Sequence, residues 1–388
     1  MARKEPKKNY NTGYRHELVK MCMQFGCIPR QGLYLAYSGL DKSRKPSANN
    51  QNCARHILRD MVHEGVMVTA KNGNGNCTGL ARSKGRYADE IYISFSDKMV
   101  DVLKDITGSQ FDDFRTKVSH RAAGQRFIDV ANAGMFAHGI PGISIFADNK
   151  PVYTESSDAP RTYYLPYEFK QGGSTTAGHD SRALGLLHDR DNCYILYGVK
   201  NGRKFNSEKE YVLQIHLMSL YHSKENVKRI YLYNEAKDIG MLCTGSTIWA
   251  QTESEDLFRY HEMFGPSYLI PRDKKGQALF SLLLTKDYED RMMMSCMSSV
   301  AVMTARNRHM LCDGYEDGIQ VLCHMVPDYG KLLSYLRMAK SSPEEMFRIY
   351  CYDFQEEYLT EAISPNIELL SVSVYDVFNS TFDMNITE

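Results

Sequence analysis

The stretch from Pro46 to Ala70 constrains this chain more than any other. Its apolar residues Ala54, Ile57, Leu58, Met61 and Val62 recur at i, i+3, i+4, i+7 and i+8, the spacing of one face of an α-helix. The remaining side carries Asn50, Asn52, Arg55, Arg59 and His63, with Asn49 and Gln51 at the polar start and the basic loop residues Arg44 and Lys45 just ahead. Amides and guanidinium groups bond base edges and phosphates, so this pattern is that of a DNA recognition helix. Ser47 is the expected N-cap and Gly65 the expected stop.

Its neighbours extend the reading. Helical spacing predicts a first helix over Tyr14 to Phe25 and a second over Gln31 to Tyr37, which offers Leu33, Tyr34 and Tyr37 to a core. After the recognition helix, Val66 to Thr69 reads as a strand. A Gly/Asn-rich loop from Asn72 to Arg86 follows, and Glu90 to Phe95 reads as a second strand. Three helices, a strand, a loop and a strand make the order of a winged helix-turn-helix. The loop is its expected wing, with Arg82, Lys84 and Arg86 placed to follow a phosphate backbone. On this basis residues 1–11 form a basic flexible arm, 12–108 the winged-helix domain, and 109–388 an α/β domain.

The charge is distributed to match. Net charge is zero, yet residues 1–90 hold 16 Lys and Arg against 7 Asp and Glu, leaving 31 against 40 in the rest. A basic amino-terminal part joined to an acidic remainder points to a polyanion as partner of the former alone. Double-stranded DNA is the expected polyanion, because no long apolar run or lipidation signal marks a membrane partner. The ten cysteines follow no paired CxxC spacing and no secretory h-region follows the basic start, which gives a cytoplasmic expectation.

Beyond Gly108 the pattern is helical from Phe111 to Ala137. The period then shortens towards 2. Ile143 to Phe146, Arg161 to Phe169, Ala183 to Leu187, Cys193 to Val199 and Arg229 to Tyr233 are strand-like, and the third and fourth form an expected hairpin. Ser207 to Tyr221 is helical, with Ser207 and Glu210 in capping-box spacing. Further strands are expected at Tyr268 to Ile270, Ile319 to Met325, Met346 to Tyr352 and Ile367 to Phe378, and further helices at Gln277 to Leu284 and Asp328 to Ala339. The whole is α+β or α/β with a mixed sheet and a sub-boundary near residues 240–265; a restriction-endonuclease-like core is one form of such a domain.

Walker A, GxGxxG and HExxH motifs are absent, which argues against a kinase, ATPase or dehydrogenase. What the chain offers instead is Asp158, then Glu168-Phe169-Lys170 at the end of an aromatic strand, Ser181-Arg182 opening the next, and Glu210 on a helix. Two acids on neighbouring strands can hold Mg²⁺, the metal ligands being Asp158 and Glu168, while Lys170 stabilises charge in phosphodiester cleavage. Arg182 is placed to meet a phosphate or to neutralise Glu168 or Glu210. Mg²⁺ is the one cofactor implied, and only for a nuclease.

The order of helices and wing, the Tyr-rich strand with Glu168-x-Lys170, then Ser181-Arg182-x-x-Gly185, Tyr197 and Glu210, resembles the replication-relaxation proteins of plasmids and integrative mobile elements. The resemblance is distant and covers roughly residues 12 to 235. It implies a sequence-specific double-stranded DNA-binding protein acting in plasmid replication, relaxation or mobilisation, partnered by a second copy of itself or by other mobile-element proteins. It also carries a Mg²⁺-dependent nickase alternative onto Asp158, Glu168 and Lys170, although Tyr197-Gly198-Val199-Lys200 lacks the acid expected there. A ligand-sensing transcriptional regulator is the third class.

Overall fold

The structure, a computed structural model, describes residues 13–25, 27–41, 50–64, 68–72, 75–79, 124–143, 145–146, 161–171, 181–190, 192–199, 207–220, 226–296, 301–302 and 312–383. Two compact units divide the chain, Met1–Phe146 and Ala147–Glu388. Both are mixtures of helix and strand.

The amino-terminal unit runs α1 (Gly13–Phe25), β1 (Cys27–Pro29), α2 (Arg30–Ala36), α3 (Asn50–His63), β2 (Val68–Asn72), β3 (Gly75–Gly79) and α4 (Gly124–His138). Its antiparallel sheet has the order β1-β3-β2. Most of each expected apolar stripe is buried, Leu18, Val19, Cys22 and Phe25 on α1 and Ala54, Leu58 and Met61 on α3, while Ile57 and Val62 are half-buried. Arg15 grips Glu64 with two hydrogen bonds of 2.9 and 3.0 Å, tying the start of α1 to the end of α3. Tyr37 OH donates to Glu17 at 2.6 Å and locks the end of α2 to α1.

Two corrections concern this unit. The hairpin closes far earlier than expected, with Asn72 paired to Gly75, so the second strand is Gly75–Gly79 within the stretch read as a loop. Gly73-Asn74 lies between the paired residues, and Gly at the first position of a two-residue loop is a hairpin signal that outweighs the low apolar content that suggested a loop. Glu90 to Phe95, with Arg82, Lys84 and Arg86, lies outside the described residues, as does the arm 1–11. The unit also continues past Gly108 to Phe146, because α4 packs on α2 and β1. Close approach requires glycine on both sides. A Cβ on Gly32 would lie 2.5 Å from Met135 Sδ, and one on Gly134 would lie 2.3 Å from Phe25 Cε1. Ile143, Ile145 and Phe146 belong to no strand.

In the carboxy-terminal unit the first sheet contains β4 (Thr162–Tyr164), β5 (Gly185–Asp189), β6 (Asn192–Gly198), β7 (Val227–Tyr233) and β8 (Ser267–Pro271) in that order. β4, β5 and β6 are antiparallel neighbours; β6, β7 and β8 are parallel. Parallel pairing needs a crossover, supplied by α6 (Ser207–Leu220) and then by α7 (Ala236–Thr244) with α8 (Ile248–Phe264). α5 (Pro166–Gln171) follows β4, while α9 (Lys274–Leu283) and α10 (Tyr288–Cys296) lead to the second sheet.

That sheet repeats the path. β9 (Ala301–Val302), β10 (Gly314–Glu316) and β11 (Ile319–Cys323) are antiparallel, and β11, β12 (Phe347–Tyr352) and β13 (Ile367–Val372) are parallel. The crossovers are α11 (Tyr329–Ser341) and a 3-10 turn with α12 (Glu356–Ala362); α13 (Val374–Phe382) ends the unit. Helices and strands of both sheets share one core that includes Leu213, Tyr231, Leu257, Leu322, Leu333 and Ile349. The sub-boundary expected near 240–265 is therefore not present.

Three local expectations also change. Arg161 to Phe169 is a short strand followed by the helix α5, and Ile367 to Phe378 stops being a strand at Val372 before α13. β10 is an unforeseen strand, although Asp317-Gly318 signals it: both residues have positive φ, 52° and 83°, as a two-residue hairpin between Glu316 and Ile319 requires. No helix among the described residues is long and apolar enough to cross a membrane.

Two measurements check this packing. Gly134→Ala should lower unfolding free energy by about 1–3 kcal/mol, the usual range for overpacking, and wild-type stability in urea denaturation would refute the close approach. His324 is buried, with Nε2 2.8 Å from Tyr358 OH, and burial pushes its pKa down to about 3. The unfolded chain therefore binds a proton that the folded one refuses between pH 6.5 and about 3, so this group's contribution falls as pH falls through that window. Melting temperature against pH should be flatter in His324→Gln than in the wild type over that range.

Candidate functional site

Two places gather the residues singled out by sequence. The first is the outer side of α3. Asn52, Arg55, His56, Arg59 and His63 are exposed, while Cys53, Ile57 and Val62 flank the buried Ala54, Leu58 and Met61. Asp60 is the one acid on this exposed side. Asn50 opens the helix, and the side chains of Asn50 and Gln51 are not described; Arg44, Lys45 and Asn49 lie outside the described residues.

Beside Arg55 stands a residue that the sequence reading assigned to the core. Tyr34 is only half-buried, unlike Leu33 and Tyr37. Arg30 Nε donates to its hydroxyl at 3.3 Å, and the Arg30 guanidinium lies 5.8 Å from the ring centre. Hydrogen bonds from Arg30 and Arg55 hold the Tyr34 phenol below its ordinary pKa. The signal for this pair is the i, i+4 spacing of Arg30 and Tyr34 on one helical face.

The second place is in the carboxy-terminal unit, around Glu168 and Glu210. Glu168 sits in the first turn of α5, where its Oε2 accepts the Leu165 N–H at 2.5 Å. Pro166 opens that helix, so Leu165, Pro166 and Glu168 make a helix start in which the acid reaches back to the cap residue. Glu168 and Lys170 are i and i+2, a spacing that shares a face on a strand but not on a helix. Asp158 and the side chain of Lys170 lie outside what is described. Among the described residues no group of three or more His, Cys, Asp or Glu is placed to hold a metal ion.

Ser181, Arg182, Tyr197 and Glu210 do come together. Glu210 is fully buried, and its carboxylate accepts from Ser181 Oγ at 2.6 Å, the Arg182 N–H at 2.5 Å and Tyr197 OH at 2.9 Å. It is thereby turned onto the segment before β5 and onto β6; the side chain of Ser207, its expected capping partner, is not described. A charge without water persists there because three donors face it. Burial and these three bonds give Glu210 a structural role. The Arg182 side chain is exposed, and its backbone is what meets Glu210. Gly185 completes the set: a Cβ there would fall 1.8 Å from the Tyr163 hydroxyl, on the neighbouring strand.

The second sheet ties the same three places with reversed polarity. Asp313, before β10, accepts the Cys323 N–H at 2.8 Å and pairs with Lys331 in the first turn of α11. In one half the helix supplies the acid; in the other it supplies the cation.

No family of known proteins, no curated protein and no solved structure matches this chain.

Stability separates the two glutamates' structural roles from catalytic ones. Glu210→Ala leaves three donors facing an apolar gap and should cost about 2–5 kcal/mol. Glu168→Ala removes a helix-start contact and should cost about 0.5–2 kcal/mol. Urea denaturation of both variants measures this, and a Glu210→Ala protein as stable as wild type would contradict the clamp.

Proposed function

We propose that the amino-terminal unit is a winged helix-turn-helix that reads duplex DNA through α3, and that the acidic carboxy-terminal unit is the scaffold that carries it. The observation that carries this reading is the outer side of α3: Asn52, Arg55, His56, Arg59 and His63 project from a helix whose other side is closed against α1 and α2. The element order α1-β1-α2-α3-β2-β3 and the sheet order β1-β3-β2 support it, since a winged helix returns its hairpin to pair with the strand between the first two helices. The positive excess of residues 1–90 supplies the sequence-independent attraction such a reader needs. The resemblance covering residues 12 to 235 would assign the activity to replication, relaxation or mobilisation of a mobile element.

The nuclease alternative receives less support from the geometry. Glu168 is occupied at a helix start and Glu210 is sealed from solvent, and Asp158 lies outside the described residues. Nicking of supercoiled plasmid by the full chain with Mg²⁺, lost on chelation, would revive it.

The test of DNA reading uses the full chain and two labelled duplexes, one enriched from a randomised pool and one scrambled. Affinity for both should fall as salt rises, through counterion release. Asn52→Ala and Arg59→Ala should each weaken the enriched duplex by about 1–3 kcal/mol and the scrambled one little, as base contacts do. Salt-independent binding, or no binding of either duplex, would end the proposal.

A further inference from the structure

Arg30 and Arg55 lie on helices that pack on each other, with Tyr34 beside both: Arg30 Nε donates to its hydroxyl at 3.3 Å, and the two guanidinium groups together hold the phenol below its ordinary pKa. Both arginines are exposed, and no carboxylate pairs with either among the described residues. Arg15, Arg161 and Arg348 show the usual alternative, each bound to an acid: Glu64, Asp189, and Glu316 with Glu368. Two like charges drawn to one point repel each other unless an anion joins them there. The phenol fixes them without neutralising them, since it can accept from both.

Position on the helix says which anion this is. At 3.6 residues per turn, Arg55 lies about 80° round α3 from His63, which is opposite the buried Ala54, and so it sits on a flank of the helix. A helix seated in a groove presents its outermost residues to base edges and its flanks to the groove walls, which are phosphates.

We propose that Arg30, Tyr34 and Arg55 form a composite site for one backbone phosphodiester of the duplex, with Arg55 a positioning contact and base reading left to the outer residues of α3. This rests on the DNA-binding reading above and adds Arg30 and Tyr34 to its contacts. Two planar guanidinium forks present several N–H donors to the phosphate oxygens, and the hydroxyl holds the forks at a fixed separation.

The experiment measures binding of the full chain to the enriched and scrambled duplexes over a salt series. Arg30→Ala and Arg55→Ala should each weaken both duplexes by the same factor, about 3- to 10-fold, and reduce the slope of log affinity against log salt by about 1. The double variant should lose less than the product of the single losses, because the two arginines share one phosphate. Tyr34→Phe keeps the packed ring and should weaken both duplexes with the slope unchanged. Arg30→Lys keeps the charge but not the fork, so its slope should stay at the wild-type value while affinity drops. Losses confined to the enriched duplex would make Arg55 a base reader and overturn the proposal, as would wild-type affinity in both alanine variants. If the wild type binds neither duplex, the DNA reading itself fails, a result distinguishable because it is read before any variant.

Discussion

Burying Glu210 takes a full negative charge out of water, and the first half of the carboxy-terminal unit is arranged around the donors that make this tolerable. Ser181 and Arg182 precede β5, Tyr197 is on β6, and the acid itself is on the crossover helix α6. The crossover cannot dock without fixing where β5 begins, and the hairpin cannot slip without losing Tyr197. Tyr197 in turn stacks on Tyr231 of the next strand, with ring centres 5.6 Å apart, so the clamp reaches the parallel half of the sheet.

The equivalent place in the second half shows that the fold requires a tie here and does not dictate its chemistry. An Asp313 carboxylate pinned by the Cys323 amide and by Lys331 joins the loop, the third strand and the crossover helix. The half-buried Lys331 lets water share the cost of the charges, whereas Glu210 relies on hydrogen bonds alone. Elsewhere the unit uses the same economy of donors: Arg229, fully buried in β7, turns its guanidinium onto Ser267 Oγ and the carbonyls of Gly265 and Pro266, where the C-terminal end of α8 concentrates negative potential.

Much of the fold was legible in the sequence wherever a periodic apolar stripe ran for several turns or a β-branched and aromatic run crossed a core. α1, α3, α6, α11 and the buried strands β6, β7 and β11 are of this kind. Failures cluster where a short local rule outvotes composition. Aromatic residues suggested a strand through Glu168, but proline followed two residues later by an acid starts a helix. Gly-Asn and Asp-Gly turned the chain sooner than the polar stretches around them implied. The site was readable in part: the face of α3 follows from its wheel, whereas Tyr34 was taken for a core residue because its ring packs while its hydroxyl, the useful end, does not. What brings Arg30 and Arg55 together is the packing of α2 against α3, and no spacing along the chain expresses that.

The outer edge of β8 carries a consequence for the nascent chain. In the finished protein the Leu269 N–H donates to the Pro327 carbonyl at 2.9 Å, and Tyr268 bridges Asp328, so a segment of the second half covers the edge of the first sheet. During synthesis β8 is complete long before Pro327 leaves the ribosome. For that interval the first sheet ends in an open row of backbone donors and acceptors on an apolar strand, a template for any other unfinished chain nearby. The repeated path thus sets a window of vulnerability in translation, closed only when the second half lays its own turn along the first.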